Sequence, residues 1–444
     1  MTQPRAGYAC DCGFLSTRPL GRCPQCSAWG SLRPQRGAAA APNRPRPQPL
    51  SSVKAEATPR LASGIAELDR VLGGGLVAGA LVLLGGEPGI GKSTLLLQAL
   101  ASLAARAAPV LYVSGEESLE QLALRATRLG AARSDLLALA ETRLSSILAE
   151  AARSRPRVLA VDSVQTLQLE DGAGAPGSPA VVREVTGALV AHAKSSGVPL
   201  ILVGHVTKDG GLAGPKTLEH LVDVVLHFEG EPASGFRVLR ATKNRFGATS
   251  EIGVFEMHGR GLREVQNPSA LFLAERAAGV PGSAVVVCVE GSRPILVEVQ
   301  ALTAASSGVP RRAVLGVDPY RVALLLAVCA RRAGVDALGS DVFVNVAGGV
   351  RVTEPAADLG VIAALASSAR GRPVRPDTVC FGEVGLAGEV RATAAPDLRL
   401  AEAQKLGFRR CVLPEASRRQ ARGGQKLELV GAKDVKAALA ALLG

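Results

Sequence analysis

The segment Gly86-Glu87-Pro88-Gly89-Ile90-Gly91-Lys92-Ser93-Thr94 constrains this chain more than any other. It matches G-x-x-x-x-G-K-[ST] and stands between a strand-like run, Leu81-Val82-Leu83-Leu84, and a helix-like run that begins Thr94-Leu95-Leu96-Leu97. Glycines at such a junction let backbone N–H groups turn inward around phosphate oxygens, and the following helix directs its positive end at them. Lys92 is placed to reach the β and γ phosphates of a nucleotide and Ser93 to ligate a magnesium ion, so ATP and Mg2+ are the expected ligands.

The flanking sequence supplies the scaffold this loop needs. Strand-like runs at Ala80 to Leu84, Val110 to Ser114, Val158 to Val161 and Leu200 to Val203 alternate with Ala/Leu-rich helical runs at Ser93 to Ala108 and Ser118 to Gly130. That alternation predicts an α/β fold with a parallel sheet covered by helices. Asp162 ends the run Val158-Leu159-Ala160-Val161, the position from which a carboxylate holds metal-bound water beside a nucleotide. Glu116 and Glu117 follow Leu111-Tyr112-Val113-Ser114; one is expected to orient the attacking water, unless both only stabilise a helix N-terminus. His205 closes the next strand, as a γ-phosphate sensor or a structural histidine.

Bulk properties narrow the partners. A chain of 444 residues exceeds what one core usually supports, so two large domains and a small appendage are expected. Lys and Arg number 51 against 39 Asp and Glu, and the net +12 favours a polyanionic partner. Aromatic residues make up only 3%, which argues against a surface that grips nucleic acid mainly by stacking on bases. The N-terminus lacks a signal-peptide core, and apolar runs such as Val322 to Ala330 fall short of a membrane span, so a cytoplasmic protein is expected.

Four of the eight cysteines crowd into Cys10-Asp11-Cys12 and Cys23-Pro24-Gln25-Cys26, with ten residues between the pairs. Four thiolates at this spacing suit a tetrahedral structural Zn2+. Residues 34–58 are rich in Pro, Ala and Arg without hydrophobic periodicity and read as a semi-extended linker. A second series of signals starts near Leu271. It has strands at Ala284 to Val289, Ile295 to Val299, Val342 to Val346 and Gly382 to Val390, and helices at Pro319 to Ala333, Ala356 to Ser368, Ala401 to Leu406 and Val435 to Leu443. The expected domains are 1–33, a four-cysteine zinc module; 34–58, the linker; 59–270, the ATPase; and 271–444, a separate α+β domain.

Several segments resemble the bacterial RadA/Sms family, whose ATPase core is similar to RecA. They are Leu72 to Leu76, Gly86 to Ser93, Tyr112 to Ser118, Val161 to Gln165, Gly204 to Lys208, Leu218 to Asp223 and, most diagnostically, Lys243-Asn244-Arg245-Phe246-Gly247. The resemblance implies a hexameric ring driven by ATP along single-stranded DNA during branch migration of recombination intermediates, with a RecA-type recombinase as partner. By its register Glu116 takes the catalytic position, His205 the γ-phosphate sensor, and Lys243 and Arg245 reach the neighbouring subunit's nucleotide. Independently, two cations at alternate positions of an extended segment share a face and suit the charge on a transferring phosphoryl group, although Gly247 also permits a solvated turn. Glycine-rich, mobile segments facing the ring's pore, Gly172 to Glu184 with Arg183 and Lys208 to Glu219 with Lys216, are candidates to carry Arg183, Lys208 and Lys216 to DNA phosphates. The first cysteine pair is one residue shorter than the family's usual C-x-x-C.

Leu271 to Gly444 resembles the proteolytic domain of Lon, a likeness carried by Asp341 to Val350 and Glu354 to Leu359. Ala356 stands at the nucleophile's position and Asp397 at the general-base lysine's, and neither activates an acyl attack. The expectation is therefore a scaffold that cements the ring and not an active protease. A competing expectation is an ATP-gated adaptor, which recruits recombination partners without translocating.

Overall fold

The computed structural model describes residues 7–16, 18, 20–35, 49, 59–170, 174–205, 218–230, 235–421 and 426–444. The chain divides into two compact units, Met1–Thr58 and Pro59–Gly444. In the first, β1 (Gly7–Cys10) pairs antiparallel with β2 (Leu15–Ser16) and with β3 (Leu32–Gln35). Two tight turns accompany this sheet: the Gly13 N–H donates to the Cys10 carbonyl at 2.9 Å, and the Ser27 N–H donates to the Cys23 carbonyl at 2.9 Å.

The second unit opens with β4 (Arg60–Leu61), α1 (Ala66–Leu72), β5 (Leu76–Val77), β6 (Leu81–Gly86), α2 (Lys92–Ala104), β7 (Val110–Ser114) and α3 (Leu119–Arg128). There follow β8 (Leu136–Ala140), α4 (Leu144–Ser154), β9 (Val158–Asp162), α5 (Pro179–Ser196) and β10 (Leu200–His205). Four strands, β11 (Val224–Glu229), β12 (Phe236–Asn244), β13 (Ile252–His258) and β14 (Gly261–Glu264), complete this half. The sheet order is β14-β13-β12-β11-β6-β10-β9-β7-β8. It is parallel from β11 to β8, and β12, β13 and β14 extend it antiparallel.

Strand alternation decides which core each residue joins. In β6, Val82 and Leu84 pack with residues of α1 and α2, while Leu81 and Leu83 pack with residues of α4 and α5. All six residues of β6 are buried. Burial of each Val or Leu side chain contributes roughly 1.5–3 kcal/mol, and a polar side chain at these positions would lose its hydration without a partner. The strand that carries the phosphate loop is thereby held on both faces near the sheet's centre. Helix α5 starts at Pro179, whose missing N–H costs nothing in a first turn, and stops at a left-handed Gly197. It absorbs the end of the segment expected as a mobile glycine-rich loop, so Arg183 stands exposed on a helix.

The rest of the chain forms a seven-stranded sheet and a hairpin, from β15 (Ser283–Glu290), β16 (Arg293–Ala305), β17 (Arg312–Leu315), β18 (Ser340–Val346), β19 (Thr378–Cys380), β20 (Glu383–Val384), β21 (Val390–Arg391), β22 (Arg410–Pro414) and β23 (Glu428–Ala432). The sheet order is β17-β18-β16-β15-β19-β22-β23, and β20 pairs with β21 in a separate two-stranded sheet. That hairpin replaces the single strand expected over Gly382 to Val390. Gly388 turns the chain at φ 89°, and the Gly385 N–H donates to the Glu389 carbonyl at 3.0 Å. Val286 and Cys288 face the cluster built on helices Pro319–Arg332, Asp358–Arg370 and Val435–Leu443. Val285 and Val287 face the one that includes Leu400 and Ala403.

The two sheets share a core across residue 270. Val238, Ile252 and Val254 belong to the same cluster as Val286, Ile295 and Val297. At this junction Glu67, 4% exposed, accepts from Arg293 Nη1 at 2.6 Å and from the Val254 N–H at 2.8 Å. Among the described residues no helix is long and apolar enough to cross a membrane.

Candidate nucleotide site and metal centre

The four N-terminal sulfurs converge. The Cys10 and Cys26 Sγ atoms are 3.5 Å apart, and those of Cys12 and Cys23 are 3.6 Å apart. All four lie within 4.8 Å of one another. Sulfurs bound tetrahedrally at about 2.3 Å stand about 3.8 Å apart, so the cluster has the dimensions of a Zn2+ site, and the shortened first pair still reaches it. The Cys12 backbone N–H, then the Ser31 hydroxyl, hold the Cys10 thiol down to about 6. Cys12, despite the Phe14 backbone N–H that favours its thiolate, is pushed up to about 12 by desolvation and the neighbouring sulfurs. Four thiolates this close repel one another, and a dication is what allows all of them to ionise together.

In the second unit β6 delivers the phosphate loop and α2 begins at Lys92. Two loop glycines are required by their surroundings: a Cβ on Gly86 would stand 2.6 Å from the Phe228 carbonyl oxygen, and one on Gly91, at φ 113°, would stand 2.6 Å from the Met257 methyl. Lys92 folds back over the loop, its Nζ donating to the Gly86 and Glu87 carbonyls at 2.9 Å each. The side chain is only 4% exposed. Burial pushes its pKa down, against the opposing charges of Asp162 and Glu116. A buried ammonium whose partners among the described residues are two neutral carbonyls is suited to a phosphate, which would supply a full negative charge.

Asp162 ends β9 beside the loop. Its Oδ2 accepts from the Tyr112 hydroxyl at 2.7 Å, while its buried Oδ1 has no hydrogen-bond partner among the described residues. Burial first, then the Asp162 charge, push the Tyr112 phenol up, so it stays protonated and donates. An unsatisfied buried carboxylate oxygen costs about 1–3 kcal/mol, and a Mg2+-bound water would satisfy it. The two glutamates after β7 part company. Glu117 pairs with Arg125 at 2.6 Å and is held by Ser114 through its backbone N–H. Glu116 accepts from Ser163 Oγ at 2.5 Å and raises the basicity of Lys92, which places it on the phosphate side. The backbone register of β10 sets His205 opposite Gly86.

Lys243 and Arg245 stand elsewhere. Val225 pairs with both Lys243 and Leu83, so Lys243 is level with a point three residues before Gly86, about 10 Å short of the loop. Arg245 lies farther still, its N–H donating to the Asp223 carbonyl while the Asp223 N–H donates to that of Leu81. Lys243 Nζ donates to the Val222 carbonyl at 2.8 Å and to that of Glu219. Asp223, 3% exposed, accepts from Arg245 Nη1 at 3.3 Å, Lys194 Nζ at 2.7 Å and the Leu81 N–H at 3.0 Å. The structure thus gathers Lys92, Asp162 and Glu116, and leaves Lys243 and Arg245 back along the sheet, away from the loop. Lys208 and Lys216 lie outside the described residues.

Sequence reasoning passes over Tyr112, Ser163, Asp223 and Arg237. Tyr112 carries a signal, a polar group in the aliphatic run Leu111 to Val113. Asp223 closes a segment that carries the family resemblance, but nothing local tells its role or that of Arg237, because the backbone groups they hold are 142 and 147 residues distant.

A phosphate loop on a buried parallel strand, a buried lysine and a strand-end carboxylate define an ATPase, here joined to a four-cysteine metal ribbon. Residues 44–211 match the AAA domain family, and residues 8–34 match a rubredoxin metal binding domain. The chain is 46% identical to the DNA repair protein RadA of Halalkalibacterium halodurans over 100% of both chains. It is 50% identical to that of Pseudomonas aeruginosa over 93% of this chain and 94% of the relative, and 46% identical to that of Escherichia coli over 93% of each. The chain belongs to the RadA family of DNA repair proteins.

Proposed function

We propose that the protein is a DNA-dependent ATPase of recombinational repair, which binds single-stranded DNA and promotes branch migration of recombination intermediates as a ring of identical protomers, six by family resemblance. The observation that carries this reading is the separation of Lys243 and Arg245 from their own phosphate loop. Cations that serve a transferring phosphoryl group but cannot reach their own site suit a neighbour's. In this reading the backbone of Gly86 to Thr94 and Lys92 cradle the triphosphate, Glu116 orients the attacking water and His205 senses the γ-phosphate. Ser93 and, through water, Asp162 would hold Mg2+, which neutralises charge on the phosphate oxygens.

Cys10, Cys12, Cys23 and Cys26 would hold a structural Zn2+, in a module (1–33) that recruits a RecA-type recombinase through the linker (34–58). The ATPase spans 59–270. Residues 271–444 act as a Lon-like scaffold without peptidase chemistry, with Ala356, 1% exposed, where a nucleophile would stand. Arg183, Lys208 and Lys216 contribute salt-sensitive contacts to DNA phosphates, and the protein works in the cytoplasm. The test is a strand-exchange extension assay on forked DNA with Lys92→Ala and Lys243→Ala. Lys92→Ala is expected to lose ATP binding, and Lys243→Ala to bind ATP and DNA yet fail to extend branches. ATP turnover that is indifferent to single-stranded DNA across a range of salt would refute the motor. Partner recruitment retained by Lys243→Ala whenever ATP is bound, with normal branch extension, would point to the ATP-gated adaptor.

A further inference from the structure

Strand β12 begins beneath the phosphate loop. Its second residue, Arg237, is 5% exposed. Arg237 Nε donates to the Ile90 carbonyl at 3.1 Å, and Nη1 donates to the carbonyl of Phe236 at 2.7 Å. Ile90 is the residue before Gly91 in the loop, so the acceptor belongs to the peptide that joins them.

In a trans peptide the C=O and N–H point in opposite directions. Holding the Ile90 oxygen down onto Arg237 therefore aims the Gly91 N–H up, to the side on which a phosphate loop collects its donors. This peptide needs such a restraint. It precedes a glycine whose φ is 113°, and a glycine crosses between regions of backbone space without the steric barrier that a Cβ imposes. If the peptide turned over, it would present a carbonyl oxygen to the triphosphate in place of an N–H. One attractive contact would become a repulsive one. The space beside the Gly91 Cα is walled by the apolar groups of Met257, Phe228 and Leu262.

We infer that Arg237 is a positioning residue of the phosphate loop, fixing the Ile90–Gly91 peptide so that its N–H faces the nucleotide's phosphates. The inference rests on the reading of this loop as the ATP site. Burial lowers the pKa of Arg237, and a guanidinium stays charged under such conditions where an ammonium gives way more readily, so Arg is the residue type the position requires. Lys243 lies six residues on in the same strand, about 20 Å away along β12. A change at Arg237 is consequently felt first at the protomer's own loop and not at the cations directed to its neighbour.

The test uses the full-length protein as Arg237→Gln, Arg237→Lys and Lys92→Ala, with the wild type. Dissociation constants are measured with a fluorescent ATP analogue, kcat and KM with single-stranded DNA present, and melting temperature with and without MgATP. Loss of a charge-assisted hydrogen bond that orients one donor is expected to raise the nucleotide dissociation constant of Arg237→Gln roughly tenfold or more. Its kcat at saturating ATP should stay within about threefold of wild type, because the bond acts on binding before it acts on chemistry. Arg237→Lys, which keeps a donor, should recover part of the lost affinity. Arg237→Gln that binds the analogue within twofold of wild type overturns the inference, as does a Lys variant no better than Gln at equal melting temperature. If the Gln variant does not fold, the Lys variant decides alone: wild-type KM then refutes the assignment, and raised KM with near-normal kcat sustains it. Failure of the wild type to bind nucleotide, or full binding by Lys92→Ala, would instead remove the ATP reading beneath it.

Discussion

The two adjacent glutamates after β7 offer the sharpest test of the site, because they differ in surroundings and not in chemistry. Glu116→Gln removes the carboxylate that lies beside Ser163 and acts on Lys92. If it orients the attacking water, kcat falls by about 10² to 10⁴, equivalent to about 2.7–5.5 kcal/mol of barrier. ATP affinity is held or slightly increased, since an anion near the triphosphate has gone. Glu117→Gln instead removes an ion pair with Arg125 whose two side chains are 25% and 26% exposed. Such a pair contributes about 0–1 kcal/mol. The unit from Pro59 to Gly444 has an unfolding entropy of about 0.8 kcal/mol/K, so the melting temperature moves by only about 1 °C. DNA-stimulated turnover and nucleotide binding, measured on both variants, separate the roles. Equal losses in kcat, or two near-wild-type enzymes, would refute the assignment of Glu116 as the residue that orients the attacking water.

Three further outcomes are expected. Glu67→Gln, which leaves Arg293 buried beside a neutral partner, should cost about 3–5 kcal/mol and lower the melting temperature by about 4–6 °C, whereas replacing both Glu67 and Arg293 with Met costs much less; equal losses in calorimetry would argue against the pair. Asp223→Asn should release Arg245 and lower DNA-stimulated turnover while ATP binding persists, and a wild-type rate would show that Asp223 does not position the cations. Zinc retention, followed with a chromophoric chelator, should weaken progressively as pH falls, because protons compete with the metal for the four thiolates; retention that is flat from pH 7.5 to 5 would count against the four-sulfur site.

The phosphate loop, Asp162 and the cysteine cluster were legible because each is a local pattern, whose partners are its neighbours in sequence or the ligand itself. The centre of the sheet was legible for a related reason: buried parallel strands read as continuous apolar runs, as Leu81 to Leu84 and Val158 to Val161 do. Strand β11 and the antiparallel extension β12 to β14 escaped, since these strands mix His227, Arg237, Arg240 and Glu256 with apolar residues. Helix α5 escaped because Gly172 to Glu184 carries turn-forming residues up to Pro179, and proline at a helix start looks from sequence like another breaker.

Composition and motif by themselves determined that this chain would build an α/β ATPase fold with a metal module, because glycine freedom, strand periodicity and thiolate spacing act over a few residues. Only the tertiary structure showed that Glu117 is tied to Arg125 while Glu116 lies beside Ser163, that Arg237 underlies the loop, that Asp223 holds Arg245 and Lys194, and that both sheets share one core. Those facts depend on strand order and register. Parallel crossovers and long-range pairing bring together residues more than a hundred positions apart, and no local rule encodes which of them will meet.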